Sequence, residues 1–416
     1  MQGEGPGWWI IVALFMMVAS TRADLVTEWN QRVLEAVKVE STSAPQVASR
    51  LAILHGAVFE AINAIDRTHQ PLYAHLEAPA DASREAAALS AAYDVAVQLY
   101  PSRKAVFIAA ANADLSRIAT GLARDAGVRV GKKAAAQILA WRSTDGANTA
   151  LPYIPHTEAG QWRRTPPYFR PPELPHWRAV RPFVLTNASQ FLPPGPPPID
   201  SARFAADFNE VKSLGRINSS TRTADQTEIA LYWANGPGTI TPPGHWNQIA
   251  ALIARQKNYT LAQNARLFAL LNIAMADAGV ATWEAKYQYH FWRPVTAIAR
   301  ATEDDNPATE PESDWTSLVL NPPFPEYVSG HSAFSSAAAA MLADFFGDDI
   351  DFTAGSDGLP GVQRSFTSFS AAAGESGISR IYGGIHYSFS NRDGLKLGRD
   401  VAHFVLAHCL KPTKNP

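Results

Sequence analysis

The sequence is short of cysteine, of net charge and of long apolar runs. Its only cysteine is Cys409, so the chain forms no internal disulfide and no cysteine-based zinc cage. The 36 Lys and Arg residues nearly balance the 38 Asp and Glu residues, which excludes a long basic track for nucleic acid. Hydrophobic residues make up 46% of the chain, which excludes a disordered protein of low hydrophobicity and high charge.

The longest apolar run covers residues 8–19. It is shorter than the ~20 residues that a membrane-spanning helix needs, and the small residues Thr21 and Ala23 follow it at the spacing of a leader-peptidase site. We therefore expect residues 1–23 to be a signal peptide cut before Asp24, and the mature protein to be soluble, secreted or periplasmic, and without a membrane partner. A short buried helix is the alternative interpretation of this run.

Helical patterning dominates the rest of the chain. From Leu25 to about Arg142, and again from about Ser201 onward, apolar residues recur every three or four positions, as in amphipathic helices. One Asp- and Pro-rich break interrupts the second stretch from Glu303 to Pro325, and no β-alternation of comparable strength is present. The pattern predicts an all-α, single-domain helical bundle over residues 24–416.

Proline is concentrated in one segment. Residues 151–198 hold 13 of the 30 prolines, which excludes regular helix there. The same segment holds several large aromatic residues, namely Trp162, Tyr168, Phe169, Trp177 and Phe183. We expect residues 151–198, called the strap below, to be ordered, polyproline-like and packed on the helical body.

Three segments between residues 281 and 398 carry the residues best suited to chemistry. In the first, Lys286 and Arg293 are seven positions apart, about 700° of rotation, which predicts that they share one helix face. A solvated surface pair is the ordinary explanation. However, aromatic residues crowd this segment and favour two cations that bind an anion; they are Trp283, Tyr287, Tyr289, Phe291 and Trp292.

The second and third segments add further anion-binding groups. Ser329-Gly330-His331 precedes the Ala-rich pattern from Ala333 to Phe346, which predicts a hydroxyl, an amide and an imidazole at the positive end of a helix. A capping serine beside a surface histidine is the alternative. In the third segment, Arg380 and His386 flank a Gly-Gly turn before an apparent helix from Asp393 to Leu410, an arrangement that alone would indicate an ordinary loop.

Taken together, the three segments predict one oxyanion site. They supply three cations, a hydroxyl, an amide and two imidazoles. This set suits a tetrahedral oxyanion, with one imidazole bonding the central atom and the other acting as acid or base. The predicted site residues are Lys286, Arg293, Ser329, Gly330, His331, Arg380 and His386.

The ordered motifs Lys-x6-Arg-Pro, Ser-Gly-His and Ser-Arg-x5-His resemble the signature shared by the vanadium-dependent haloperoxidases and the type 2 phosphatidic acid phosphatases. Residues 221–228 and 242–247 are also similar to the soluble bacterial haloperoxidase-like branch. The resemblance implies the helical fold of the vanadium chloroperoxidase and acid phosphatase type. It further implies vanadate as the cofactor, with phosphate able to occupy the same site.

The resemblance also implies roles for single residues. His386 matches the axial ligand of vanadium, or the nucleophile of a phosphatase, and His331 matches the acid–base histidine. Trp283 and Phe324 match the aromatic residues that line the halide pocket of the chloroperoxidase type. Asp225 is a candidate for a distant carboxylate that supports an arginine or histidine of the site. The oxygens of the oxyanion would be held by Lys286, which would also polarise bound peroxide, and by Arg293, Arg380, Ser329 and the Gly330 amide.

Two positions depart from the family pattern. Val328 stands where a proline usually precedes Ser-Gly-His, and we expect it to loosen the turn. Ser390 stands where the phosphatase-like pattern has an aspartate four residues after the histidine. Asp393, seven residues after His386, is a candidate substitute for that aspartate; if it does not substitute, the imidazole is oriented less firmly.

Three functions are compatible with this site. The first is a vanadate-dependent haloperoxidase that uses hydrogen peroxide to oxidise halide to hypohalous acid. The second is a soluble acid phosphatase that attacks a phosphomonoester with His386. The third is a catalytically lapsed oxyanion-binding protein, for which Ser390 is the only support. No nucleic-acid partner is expected, and a homo-oligomer is compatible with the sequence.

Overall fold

The computed structural model describes residues 24–73, 75–154 and 156–413. The predicted signal segment, residues 1–23, lies outside the described residues, so its cleavage and the export of the protein stay predictions. Within the described ranges the structure contains thirteen α-helices and one sheet of two strands. The prediction of an all-α fold is therefore confirmed.

Five helices form the N-terminal part of the bundle. Helix α3 packs on α5, and α2 packs on both of them. The boundaries agree with the helical patterning predicted from Leu25 to Arg142, because capping residues such as Ser83, whose side chain accepts from the Ala86 N–H, begin helices where the apolar period starts. The helices are α1 Leu25–Glu40, α2 Ala44–Asp66, α3 Arg84–Leu99, α4 Lys104–Leu115 and α5 Leu122–Arg142.

Eight helices follow the strap. Helix α9 packs against α2 of the N-terminal part and against α11 and α13 of the C-terminal part, so it lies at the centre of the molecule. The helices are α6 Ala202–Gly215, α7 Ala224–Tyr232, α8 Thr241–Gln256, α9 Leu261–Tyr289, α10 Pro294–Ala299, α11 Gly330–Phe346, α12 Phe369–Tyr382 and α13 Ser388–His408.

Helix α9 is buried along most of its length because it is surrounded by other helices. It begins with a capping box, in which the side chains of Thr260 and Gln263 each bond the other residue's backbone N–H. Among the described residues it is the one helix long and apolar enough to cross a membrane, and 94% of its apolar window is buried inside the protein. A helix at the centre of a protein core can have the same length and the same apolar composition.

A small β-hairpin lies between α11 and α12. Strands β1 (Phe352–Gly355) and β2 (Gln363–Phe366) pair antiparallel, with Phe352 opposite Phe366. The sequence shows no β-alternation as strong as its helical pattern, and this hairpin is the one sheet among the described residues. Strands of four residues are too short for an alternating pattern to stand out from a helical background.

The strap contains no α-helix within its described residues, only a 3₁₀ turn at Pro175–Ala179. Its Trp162 and Trp177 are buried in the core, whereas Tyr168 and Phe169 are exposed. The carboxylate of Asp277 on α9 accepts hydrogen bonds from three successive strap amides, at residues 183, 184 and 185. The strap is thus tied to the central helix, although not all its aromatic side chains reach the core.

Helix α13 lies directly against the beginning of α11. A Cβ atom at Gly398 would lie 2.1 Å from the carbonyl oxygen of Ala333, and one at Gly394 would lie 2.8 Å from that of Ser329. Only glycine permits such an approach. The contact brings the amino ends of α11 and α13 together, and with them the second and third sequence motifs.

Candidate active site

The Ser329-Gly330-His331 motif forms the start of helix α11, as predicted. Ser329 is the N-cap, and its Oγ accepts from the N–H of Ser332 at 3.3 Å and from its hydroxyl at 2.8 Å. A Cβ atom at Gly330 would meet only ordinary contacts, 3.8 Å from Phe334 and 3.9 Å from Trp283. Protein packing therefore does not require this glycine, and its small size leaves room for a ligand over the first helical amides, which lack intrahelical partners.

Lys286 and Arg293 do not share a helix, which corrects the prediction from their spacing. Helix α9 ends at Tyr289, His290 is left-handed with φ of 51°, and Arg293 is the N-cap of α10. Pro294 is the physical reason, because a residue that precedes proline is disfavoured in helical conformation. The spacing argument assumed one continuous helix.

The two cations nevertheless converge on the same segment, residues 320–329, called the site loop below. The Lys286 ammonium donates to the carbonyl oxygens of Pro325, Glu326 and Val328 at 3.0, 2.9 and 2.6 Å. Arg293 donates to the carbonyl oxygen of Phe324 at 3.0 Å. The cations thus satisfy backbone carbonyls of a loop that has no regular secondary structure to do so.

The two cations also flank the aromatic ring of Phe324. The Lys286 nitrogen and the Arg293 guanidinium carbon each lie 5.0 Å from the centre of this ring. Trp283 packs on the same ring at 5.0 Å between centroids. The negative faces of aromatic rings attract cations, so this predicted pair of pocket aromatics also helps to hold the positive charge.

Val328 is fully buried, and its carbonyl oxygen is one of the three that Lys286 binds. We expected the loss of proline at this position to loosen the turn. In the structure the backbone at Val328 is held by the hydrogen bond from the Lys286 ammonium group to its carbonyl oxygen.

His386 lies in the turn between α12 and α13, with a carboxylate on one side and a cation on the other. Its Nδ1 is 2.6 Å from Oε1 of Glu326, and its Nε2 is 3.3 Å from Nη1 of Arg293. A carboxylate accepts and a guanidinium donates, so Nδ1 carries the proton and Nε2 carries the lone pair. The imidazole is therefore arranged to offer Nε2 as a nucleophile or a metal ligand.

Arg380 and His331 are held by backbone carbonyls. Arg380 lies on α12, not in the loop that its sequence context indicated, and it donates from Nε to the Ser379 hydroxyl and from Nη2 to the carbonyl of Ala230, both at 2.9 Å. Nε2 of His331 is 3.3 Å from the carbonyl oxygen of Ala234. Since a carbonyl only accepts, Nε2 of His331 carries a proton.

Two carboxylates assigned to the site from sequence lie elsewhere. Asp225 pairs with Arg364 at 3.0 Å and is mostly exposed, so the expectation that it supports the site is wrong. Asp393 accepts from the Tyr327 hydroxyl at 2.8 Å, whereas Glu326 bonds His386. The idea that Asp393 replaces the missing aspartate is therefore also wrong. His386 lies before α13, which begins at Ser388, so His386 and Asp393 are not two positions on one helix face.

Burial lowers the pKa of every basic group at the site. The pKa of Lys286 falls well below its ordinary value because of burial and of the neighbouring Arg293. Burial also lowers the pKa of Arg293 to about 10 and that of Arg380 to about 9. Removal from water penalises the charged form of each group, and a bound anion would offset this penalty by pairing with the cations.

The two histidines are neutral in this environment. Burial, followed by the charge of Arg293, depresses the pKa of His386 well below its ordinary value, and burial followed by Arg380 does the same to His331. Burial raises the pKa of Glu326 to about 7, against the opposing influence of Arg293 and Lys286. A bound anion would oppose the part of these histidine shifts that comes from the neighbouring cations.

A cavity of about 260 Å³ opens onto the site. Three of the nine predicted site and pocket residues, Lys286, Arg293 and Ser329, lie fully buried outside its lining. The other six line the cavity, namely Trp283, Phe324, Gly330, His331, Arg380 and His386.

Sequence reasoning missed several residues around this cavity. Glu326 is one, although it is the single carboxylate in the motif from Pro322 to Ser332, a signal that could have found it. The strap supplies Arg170 and Glu173 to the lining, and the Glu173 carbonyl accepts from the hydroxyl of Tyr287 at 2.7 Å. Nothing in the strap's sequence pattern indicated this position.

The fold and parts of the sequence match proteins of known activity. Residues 266–415 match the family of the VCPO second helical-bundle domain. The vanadium chloroperoxidase of Curvularia inaequalis is 28% identical over 282 residues, which cover 53% of this chain. The match spans only 46% of that relative's length, less than half of it.

Solved structures match over more of the chain. A bacterial vanadium-dependent iodoperoxidase has a TM-score of 0.82 and 31% identity, covering 93% of this chain and 96% of its own. A bacterial vanadium-dependent chloroperoxidase in its apo and holo forms has TM-scores of 0.69 and 0.68. Its identity is 16% and 17%, and coverage is 88% of this chain and 95% and 94% of the relative. This second likeness concerns the fold alone.

Proposed function

Because the chain belongs to the vanadium haloperoxidase superfamily, we propose that it is a vanadate-dependent haloperoxidase, which uses hydrogen peroxide to oxidise halide to hypohalous acid. The observation that carries the proposal is the convergence of His386, His331, Arg380 and Gly330 on one cavity. Two further buried cations, Lys286 and Arg293, lie behind them. Few small ligands other than a compact oxyanion match this set of groups.

The residues fit vanadate as the resident cofactor. The lone pair on Nε2 of His386 is the donor that a metal centre requires, and the opposite nitrogen is fixed by Glu326. Arg380 lines the cavity and uses Nε and Nη2 for protein acceptors, which leaves its Nη1 protons for an oxyanion. When bound, vanadate would supply a Lewis-acidic centre that activates hydrogen peroxide.

The chain's own groups would hold charge and move protons. Arg380, Arg293 and the first amides of α11 would balance the negative oxygens, since preorganised donors in a water-poor site stabilise charge most strongly. His331, whose ring lines the cavity, would exchange a proton with bound peroxide or with the released product. Lys286 would add positive charge from behind the site loop.

The cavity wall favours small substrates. Trp283 and Phe324 form an aromatic part of the lining, where a weakly hydrated halide ion can approach without competing for the cationic groups. Pro322 and Pro323 add apolar surface to the lining. We propose hydrogen peroxide and halide as the substrates on these grounds.

One observation favours a second function, a soluble acid phosphatase with His386 as nucleophile. A histidine that attacks phosphorus needs a carboxylate on its far nitrogen to fix its tautomer, and Glu326 lies 2.6 Å from that nitrogen. The chain therefore has an orienting carboxylate for His386 although position 390 holds serine. The third possibility, a lapsed binding protein, loses its only support for the same reason.

The test is a pair of assays on the purified protein. Incubated with orthovanadate, hydrogen peroxide and bromide or iodide, it should halogenate a phenol dye in a vanadate-dependent reaction. Hydrolysis of p-nitrophenyl phosphate without any halogenation would replace this proposal with the phosphatase. His386→Ala should abolish either activity, and Asp225→Asn is the control that should keep it.

A further inference from the structure

We infer that Glu326 orients His386 and so performs the task that an aspartate at position 390 performs in the phosphatase-like pattern. The inference rests on the proposed function only in taking His386 as the residue that meets the oxyanion. Glu326 is a positioning residue, because it contacts His386 and lies outside the residues that line the cavity.

The contact is two-fold and comes from a single oxygen atom. Oε1 of Glu326 is 2.6 Å from Nδ1 of His386 and accepts the backbone N–H of Tyr387 at 3.1 Å. Both side chains are buried, with Glu326 fully inaccessible. One carboxylate oxygen thus holds the imidazole ring and the peptide that follows it, which fixes both the orientation of the ring and the path of the turn.

The chemical consequence concerns the tautomer. With Glu326 as acceptor, the Nδ1 proton is retained, and Nε2 keeps its lone pair on the side of Arg293. Without this acceptor, a neutral imidazole can place its proton on either nitrogen. A proton on Nε2 would remove the only atom of His386 that can bind an oxyanion's central atom.

Position 390 lies beside the same nitrogen. The hydroxyl of Ser390 is 3.4 Å from Nδ1 of His386, and the residue is fully buried one helical turn farther along the chain. An aspartate there would bring its carboxylate to the place that Glu326 now fills from the site loop. A carboxylate at 326 and one at 390 are therefore alternative solutions to one requirement, which explains why this chain carries serine at 390.

The site loop is built to keep Glu326 in place. Lys286 donates to the carbonyl oxygen of Glu326 itself, and to those of Pro325 and Val328 on either side of it. The N–H of Glu326 donates to the carbonyl of Phe291 at 2.8 Å. The backbone of this residue is thus anchored on both sides, so its side chain can hold a fixed position.

The test compares Glu326→Ala with the double variant Glu326→Ala/Ser390→Asp in the full chain. Affinities for inorganic phosphate and for orthovanadate are measured by titration calorimetry. The tautomer of His386 is read from nitrogen chemical shifts of protein labelled in histidine, with His386→Gln to assign the signal. Asp393→Asn is the matched control, since it removes the nearby carboxylate that bonds Tyr327 instead.

We expect Glu326→Ala to weaken both affinities by about 10- to 100-fold, the usual effect of losing a partner of a ligating histidine, and to give mixed tautomers of His386. The double variant should recover most of the affinity and the Nδ1–H tautomer, and Asp393→Asn should match the wild type. A purely structural role of Glu326 predicts no recovery, so a folded double variant that stays as weak as Glu326→Ala would overturn the inference. Unchanged affinity and tautomer in Glu326→Ala would overturn it too.

Glu326→Gln covers the case in which the alanine variant does not fold. The amide oxygen of glutamine still accepts from Nδ1 but carries no charge, so this variant should keep the tautomer; loss of the tautomer with an intact fold would contradict the inference. Failure of the proposed function is distinguishable, since it would appear as absent halogenation by wild-type protein. The tautomer of His386 is measured without any ligand.

Discussion

The strap and the site loop are both proline-rich, and their described residues contain no α-helix and no strand. Both segments are tied to helix α9, but by charges of opposite sign. Asp277 accepts from the strap amides of Phe183, Val184 and Leu185 at 2.6, 2.8 and 2.9 Å. Nine residues farther along α9, Lys286 donates to three carbonyl oxygens of the site loop at 3.0, 2.9 and 2.6 Å. Both anchoring side chains are fully buried.

The difference shows how an irregular segment determines the charge placed beneath it. Buried backbone groups must be paired. A turn that directs its N–H groups inward needs acceptors, which Asp277 supplies, whereas one that directs its carbonyls inward needs donors, which Lys286 supplies. In the site loop this requirement places positive charge beside an anion cavity. The anchor of the strap lies about 13 Å away along the helix axis and leaves the cavity's charge unaffected.

The largest expected effect comes from removing the cationic anchor. Lys286→Met leaves three buried carbonyl oxygens without a donor, which should lower the free energy of unfolding by about 3 kcal/mol. Phosphate affinity should also fall about 100-fold, because a buried charge near the anion is lost. Denaturant unfolding and calorimetry measure the two effects. Unchanged phosphate affinity in a folded variant would show that Lys286 anchors the loop and contributes nothing to the anion.

Removing the anionic anchor should separate stability from binding. Asp277→Ala leaves three strap amides unpaired and should lower the free energy of unfolding by about 3 kcal/mol. Phosphate affinity should stay within a few-fold of the wild type, as measured by calorimetry under conditions where the variant is folded. If the affinity fell as far as in Lys286→Met, the two anchors would serve one site and the comparison would fail.

Asp277, the anchor of the strap, should make the free energy of unfolding depend on pH. Burial raises the pKa of Asp277 to about 6, against the opposing influence of the strap amides. Since the pKa of Asp277 is higher in the folded state than in the unfolded state, its protonation adds to the free energy of unfolding. This contribution is complete at low pH and is lost as the pH rises through about 6. When the pH is lowered from 7 to 5, the free energy of unfolding of the wild type should therefore increase by about 1 kcal/mol relative to that of Asp277→Asn. Equal pH slopes in denaturant unfolding would contradict this.

The smallest effect is expected at Asp225, a surface partner of Arg364. Asp225→Asn should change the free energy of unfolding by less than about 0.5 kcal/mol, because exposed ion pairs contribute little. Phosphate affinity should be unchanged in calorimetry. A clear loss of phosphate affinity would instead support the role expected from the sequence, in which Asp225 supports an arginine or histidine of the site. Asp225 would then be a third anchor in the comparison.

Sequence patterns predicted what depends on local order along the chain. Ser329 begins a helix because a capping serine precedes an Ala-rich run, and the early helices follow the apolar period. The prediction that Lys286 and Arg293 share a helix face was wrong, because it did not take into account the effect of Pro294 on the preceding residue. Their convergence on the site loop depends on tertiary packing, which spacing does not encode.

Contacts between distant segments were beyond prediction. Glu326 meets His386 across 60 residues, and neither residue's neighbours carry a periodic signal for that pairing. The resemblance to known families directed attention to Ser390 and Asp393, positions defined by spacing from His386. The carboxylate that bonds His386 is Glu326, which lies just before the Ser-Gly-His motif. The sequence argument therefore expected a carboxylate beside His386 but looked for it at the wrong position.

The close contact of α13 with α11 has a consequence for biosynthesis. His386 and α13 follow the cations and the site loop in the sequence, and Gly394 and Gly398 of α13 dock on the beginning of α11. A nascent chain that has emerged only as far as α12 carries the cations and the site loop but lacks the ring that meets the oxyanion. Binding of an oxyanion by His386 would therefore require that α13 has been synthesised and has docked on α11.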